Sequence, residues 1–260
     1  MTAAGELPTP DVVVEADADA LARTVAAALV ARLAAAQAVH GTASVVLTGG
    51  GVGIAVLEHV AGLAEEPIRE TVDWEQVDVW WGDERYVPAE SDERNEKQAR
   101  AALLSRVGVP EHRIHAMPPS DGDVRTPEEG ADWYAGQLAA AVGDGGVPRF
   151  DVLLLGMGPE GHTASIFPDS PAASDERPVF AVRDCPKPPS TRVSLGFSAV
   201  TSAEEVWLIV SGAGKADAVA QALAGAHPHE IPAAGVHGTR ATRWLLDTAA
   251  ADKLPDPPGR

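Results

Sequence analysis

Cysteine is nearly absent from this chain. Cys185 is the only one in 260 residues, which excludes an internal disulfide and any cysteine-based zinc cluster. Aromatic residues are sparse at 5%, and cations are outnumbered, with 20 Lys and Arg against 38 Asp and Glu. The net charge of −18 repels a nucleic-acid backbone over most of the surface, and no basic stripe interrupts it, so nucleic acid is not an expected partner. No uninterrupted apolar run approaches the roughly 20 residues that span a bilayer. The opening "MTAAGELPTPDVVVEADADA" also lacks the basic and apolar regions of a signal peptide. These absences lead to the expectation of a cytoplasmic protein without a membrane partner. Where cations are scarce, a phosphorylated ligand can be held only if a few of them converge, which singles out Arg85, Lys187, Arg192 and Lys215.

Hydrophobic residues at 45% and charged residues at 22% are the balance of a globular protein. Short β-rich runs stand at 12–14, 44–48, 77–81, 150–155, 179–182, 192–197, 205–211 and 242–247. Between them lie helical patterns. In "ADALARTVAAALVARLAAAQ" the apolar residues Leu21, Val25, Leu29 and Leu33 recur at every fourth position, and the stretches at 93–107, 127–142 and 215–225 read similarly. Apolar strands alternating with helices predict an α/β fold with a mostly parallel open sheet covered by helices on both faces, doubly wound. No convincing linker divides the chain, so 1–260 is expected to be one domain, with residues 1–10 and 254–260 frayed.

The stretch "LLLGMGPEGHTAS" carries Gly156-x-Gly158-x-x-Gly161 straight after an apolar run, the spacing of a dinucleotide-binding loop. Such a loop must feed a long helix whose N-terminus carries the pyrophosphate. Here the helix would start near His162 and meet Pro168 almost at once, so the βαβ unit is missing and no dinucleotide cofactor is expected. The other reading is a sharp turn that holds His162 at the C-terminal edge of a sheet, where open α/β sheets bind ligands. Taken alone, an isolated histidine is more often a helix cap than a base.

Three further segments have the same ambiguity. "LTGGGVGIAVLEHV" is strand, glycine turn and helix, an arrangement that frees backbone N–H groups for an anion but equally serves a tight turn. "VWWGDERYVP" sets Asp83, Glu84 and Arg85 after a strand, with Trp80 and Trp81 read as core. "SGAGKADAV" puts Lys215 in the first turn of a helix, against the dipole, which a bound anion would explain. All four segments follow strands expected in one parallel sheet, whose ends share an edge. Together they favour a phosphosugar site.

With "LTGGG", "WWGDERYVP", "ERN", "FDVLLLGMGPEGHTASIFPDSP", "RVSLGF" and "EVWLIVSGAGKADAV", the chain resembles the glucosamine-6-phosphate isomerase/6-phosphogluconolactonase family over most of its length. The loop reads Thr48-Gly49-Gly50-Gly51-Val52 where that family more often has a serine followed by Thr-Pro, and Glu160 stands where Asp is commoner. The resemblance implies hydrolysis of a 6-phosphorylated, six-membered lactone in the pentose phosphate pathway. In that chemistry His162 takes a proton from water, Arg85 and backbone N–H groups stabilise the oxyanion, and Asp83 or Glu160 orients imidazole or water. Arg192, Lys215 and the N–H groups of Gly49, Gly50 and Gly51 hold the phosphate. No cofactor or metal is implied, and His227 and His229 lack a clear third partner. A deaminase of amino-sugar phosphates and a non-enzymatic sugar-phosphate binder are the alternatives. Monomer and homodimer are both open.

Overall fold

The computed structural model describes residues 9–65, 71–143 and 146–255; of the ends expected to fray, 1–10 and 254–260, residues 1–8 and 256–260 lie outside them. Six strands form one parallel sheet: β1 (Asp11–Glu15), β2 (Ala43–Leu47), β3 (Val77–Trp81), β5 (Val152–Leu155), β8 (Glu205–Val210) and β9 (Ala241–Asp247), in the order β1-β9-β8-β5-β2-β3. Every pairing in it is parallel. β5 and β8 are buried throughout, as their apolar runs require when helices cover both faces.

The main sheet is parallel as expected, but the strands expected at 179–182 and 192–197 do not join it. β4 (Asp83–Arg85), β6 (Val179–Val182) and β7 (Arg192–Leu195) form a separate three-stranded antiparallel sheet, ordered β4-β7-β6. The segment after β3 therefore turns out of the main sheet and pairs with β7, setting Asp83 opposite Ser194 and Arg85 opposite Arg192. Like charges directly opposite on paired strands repel, which marks this corner as one that an anion would relieve.

Helix α1 (Ala18–His40) begins where the Asp17 side chain accepts from the N–H groups of Asp19 and Ala20, and ends at Gly41, whose φ of 78° is left-handed. It is 23 residues long and has a stretch of mean hydropathy 1.3, so by length and composition it is apolar enough to cross a bilayer, contrary to the expectation from uninterrupted runs. In the fold it is a core helix: Leu21, Val25, Leu29 and Leu33 are buried in a cluster that also holds Val56, Leu57 and Val60 of α2 (Gly51–Glu65). α3 (Asn95–Ala99) runs through a π-turn at Arg100–Leu104 into α4 (Ser105–Val107). α5 (Pro127–Val142) starts at the Thr126 cap with Pro127 in its first turn, where a missing N–H costs nothing. Its Tyr134, fully buried, contacts the core of the opposite face, which includes Trp80 and Phe150. The short α6 (Phe197–Val200) and α7 (Ala216–Leu223) complete the described helices.

Candidate active site

Parallel strands deliver their C-terminal ends to one edge, and a cleft of about 540 Å³ opens there. The turn after β2 contributes Thr48, Gly49, Gly50 and Gly51, and the turn after β5 contributes Gly156 and Met157. Ser211 and Lys215 come from the loop after β8, while Asp83, Arg85 and Arg192 come from the antiparallel sheet. His162 lines the same cleft. Of the catalytic and phosphate-site candidates, only Glu160 is missing from the lining, as is the singled-out cation Lys187; both stand behind His162.

No helix follows Gly161. Residues 158–162 form a tight turn in which the Gly158 N–H donates to the His162 carbonyl and the Gly161 N–H to that of Gly158, both at 3.0 Å. His162 therefore caps nothing, and its side chain is free for other work. The glycines now have physical reasons. A Cβ on Gly158 would lie 2.0 Å from His162 Nδ1, so the imidazole occupies the space a side chain would fill. Gly161 has a φ of 86°, the left-handed region that side chains disfavour.

The imidazole is fixed on three sides. It stacks on Phe167 at 4.5 Å between ring centroids, Glu160 Oε1 lies 3.0 Å from Nδ1, and Lys187 Nζ lies 3.3 Å from the same nitrogen. Lys187 also donates to Glu160 Oε2 at 3.0 Å. Nε2 is bonded to none of the described residues. Burial, reinforced by the Lys187 ammonium, pushes the His162 pKa down to about 4 against the opposing pull of Glu160 and Asp83. The ring is thus neutral at pH 7. Burial alone would raise Glu160, but hydrogen bonds from its own backbone N–H and from Lys187 outweigh it, and its carboxyl is held below the usual range.

Asp83 faces elsewhere. Its Oδ2 accepts from Ser165 Oγ at 2.6 Å and lies 3.6 Å from Arg192 Nη1. Arg192 is anchored through Nε to the Pro189 carbonyl and through Nη2 to the Lys187 carbonyl, so it braces the loop that carries Lys187. Arg85 donates through Nη1 to the Glu93 carbonyl at 2.5 Å. Lys215 is driven below its usual pKa by burial and then by the charge of Lys187. On the opposite side, α2 starts at Gly51 with no acidic residue in its first turn, leaving its N-terminal N–H groups open to an anion.

Residues 16–244 match the family described as glucosamine-6-phosphate isomerases/6-phosphogluconolactonase. The chain belongs to this family. It is 50% identical over 248 residues to the 6-phosphogluconolactonase of Mycobacterium tuberculosis, covering 92% of this chain and 96% of that protein. Its identity to the 6-phosphogluconolactonase of Streptomyces coelicolor is 48% over 252 residues, covering 95% of each. The solved 6-phosphogluconolactonase of Trypanosoma brucei superposes with a TM-score of 0.80 at 30% identity, covering 95% of this chain and 99% of that one. A monomeric glucosamine-6-phosphate deaminase matches with a TM-score of 0.76 at 18% identity over 93% of this chain and 99% of that one, a likeness of fold alone.

Within this family site, sequence reasoning gave no role to Asn95, although it quoted the "ERN" that contains it. Asn95 starts α3, is 2% exposed, and donates from Nδ2 to the Asp83 carbonyl at 2.9 Å. Glu84, read only as one of three adjacent charges, is a buried structural acid. Its carboxylate accepts from the N–H groups of Arg85, Asn95 and Glu96, and burial raises its pKa despite the nearby Arg94. Ser165, close to His162 in sequence, gives its hydroxyl proton to Asp83, a partner 82 positions away that no local pattern reveals. Among the described residues no cluster of three or more His, Cys, Asp or Glu is placed to hold a metal.

Proposed function

We propose that this chain, acting as one domain, hydrolyses 6-phospho-D-glucono-1,5-lactone to 6-phosphogluconate, with His162 as general base. The observation that carries the reading is a neutral imidazole held by Glu160 at Nδ1, with Nε2 bonded to none of the described residues, in a cleft lined by Arg85, Arg192 and Lys215. Because Glu160 is an anion beside Nδ1, the favoured tautomer carries its proton there and leaves the Nε2 lone pair for catalysis. Lys187 is satisfied by the other carboxylate oxygen.

Water attacks the lactone carbonyl carbon as Nε2 removes one of its protons. The carbonyl becomes an oxyanion facing Arg85 and nearby backbone N–H groups. On collapse, the bond from that carbon to the ring oxygen breaks, the ring oxygen takes the proton from the imidazolium, and the carboxylic acid product loses its proton to solvent. Arg192, Lys215 and the Gly49–Gly51 turn hold the phosphate, so binding energy remote from the reacting carbon fixes the carbonyl within reach of the water. The substrate is a strained enough ester that one base suffices, and the Gly-x-Ser-x-Gly signature of a serine nucleophile does not occur here. We place the reaction in the cytoplasm, where a free thiol such as Cys185 persists.

The test follows the decay of freshly generated 6-phosphogluconolactone with wild type, with His162→Ala and with no protein. Wild type accelerates decay, and the variant loses roughly 10²–10⁴-fold. If wild type decays the lactone no faster than buffer, the reading fails; if the variant keeps full rate, the base is misassigned.

A further inference from the structure

The loop that presents Lys215 is held from below by an acid that does not line the cleft. Asp247, the last residue of β9, is 5% exposed. Its Oδ2 accepts the Ser211 hydroxyl proton at 2.5 Å and the Gly212 N–H at 3.1 Å, while Oδ1 accepts the Gly212 N–H at 3.0 Å and the Ala250 N–H at 2.7 Å. Gly212 has a φ of 102°, so the chain turns sharply there before the short turn Ala213–Lys215. Every bond Asp247 makes in this loop lies within four residues of Lys215. We propose that Asp247 is a positioning residue for phosphate recognition: it fixes the Ser211–Gly212 turn so that Lys215 reaches the substrate anion.

The same geometry sets the polarity of Ser211, which lines the cleft. With its only proton given to Asp247, the Ser211 oxygen turns lone pairs outward. It therefore offers an acceptor to a cation such as the Lys215 ammonium and does not donate to phosphate. A buried carboxylate with no contact to the ligand would thereby decide which way two ligand-facing groups point. Asp247 is an anion near the phosphate site, so its benefit is geometric rather than attraction for the substrate.

This inference rests on the lactonase reading only for the identity of the anion, and the experiment separates the two. Asp247→Asn retains the oxygen that accepts from Gly212 and Ala250 and loses the one that accepts from Ser211, so the turn is loosened without removing its backbone anchors. Both kcat and KM are measured with the lactone, and Kd is measured by calorimetry with 6-phosphogluconate and, as a phosphate-free control, with gluconate. A second variant, Ser211→Ala, leaves Asp247 intact. For Asp247→Asn the expected result is a rise of about tenfold in both KM and the 6-phosphogluconate Kd, the scale of one charge-assisted hydrogen bond, with kcat within about twofold. Ser211→Ala is expected to weaken the same two quantities less, and gluconate binding is expected to stay unchanged in both. An unchanged 6-phosphogluconate Kd in Asp247→Asn, or a fall confined to kcat, overturns the proposal. If wild type fails to hydrolyse the lactone while Asp247→Asn still weakens 6-phosphogluconate selectively, the function falls and the positioning role stands.

Discussion

Gly158→Ala adds one methyl group at a residue that makes no side-chain contact with any substrate, and it should nearly abolish activity. The added Cβ would sit 2.0 Å from His162 Nδ1, 2.2 Å from Cε1 and 2.6 Å from Glu160 Oε2, whereas ordinary contact begins near 3.4 Å. Something must retreat by more than about 1 Å, and a displacement of that size costs on the order of 10²-fold in rate. Neither group is free to yield, since the ring is stacked on Phe167 and Glu160 is bonded to Lys187. Overpacking of this kind costs about 1–3 kcal/mol, which a folded domain can survive, so the variant remains measurable. The assay is proton release on lactone opening, read with a pH indicator in weak buffer, beside a thermal melt. We expect kcat/KM to fall about 100-fold with a cooperative melt preserved. Added to His162→Ala, the same methyl should cost nothing further, because the base it displaces is already gone. A folded Gly158→Ala enzyme at wild-type rate, or an undiminished loss in the His162→Ala background, would refute the argument that this glycine exists to seat the imidazole.

The surroundings of His162 and Tyr134 set further outcomes. Burial pushes the His162 pKa down to about 4, below its ordinary 6.5, so the proposed base stays unprotonated in the free enzyme down to about pH 4 and kcat/KM is expected to decline only below that. Between pH 6.5 and 4 the unfolded chain binds a proton at this histidine that the folded chain does not, so stability falls as pH falls through that window, and His162→Gln should flatten the melting-temperature profile there. Lys187→Met removes a cation that lowers His162, and the acid limb of the kcat/KM profile should move to higher pH; an unmoved limb would show that Lys187 does not act on the ring. Tyr134→Phe removes a buried hydroxyl that accepts from the Trp81 N–H at 3.0 Å and donates to its carbonyl at 3.4 Å, so denaturant unfolding should show a loss of about 1–3 kcal/mol with KM little changed.

Much of this protein is determined locally and was therefore legible in the sequence. The parallel strands and the long helices announce themselves because burial on one or both faces imposes a period that any short window reveals. Val77–Trp81 and Pro127–Val142 match their expected limits, and Pro168 so soon after Gly161 was enough to argue against the long helix of a dinucleotide loop. Strands expected to end on one sheet edge let Gly49, Arg85, His162 and Lys215 be grouped before any contact was known, the family resemblance added Arg192, and all of them line one cleft. Tertiary structure alone decided the remainder. Three residues at 83–85 carry too little pattern to reveal that they form a strand, and their partner at 192–195 is more than a hundred positions away. A separation of 82 positions hid the pairing of Asp83 with Ser165 and left two carboxylates as candidates to steady His162; only packing places Glu160 at Nδ1. Composition likewise says nothing of why Gly158 is a glycine or what Asp247 holds. Those answers depend on which side chain fills a given space, and that is fixed when distant segments meet.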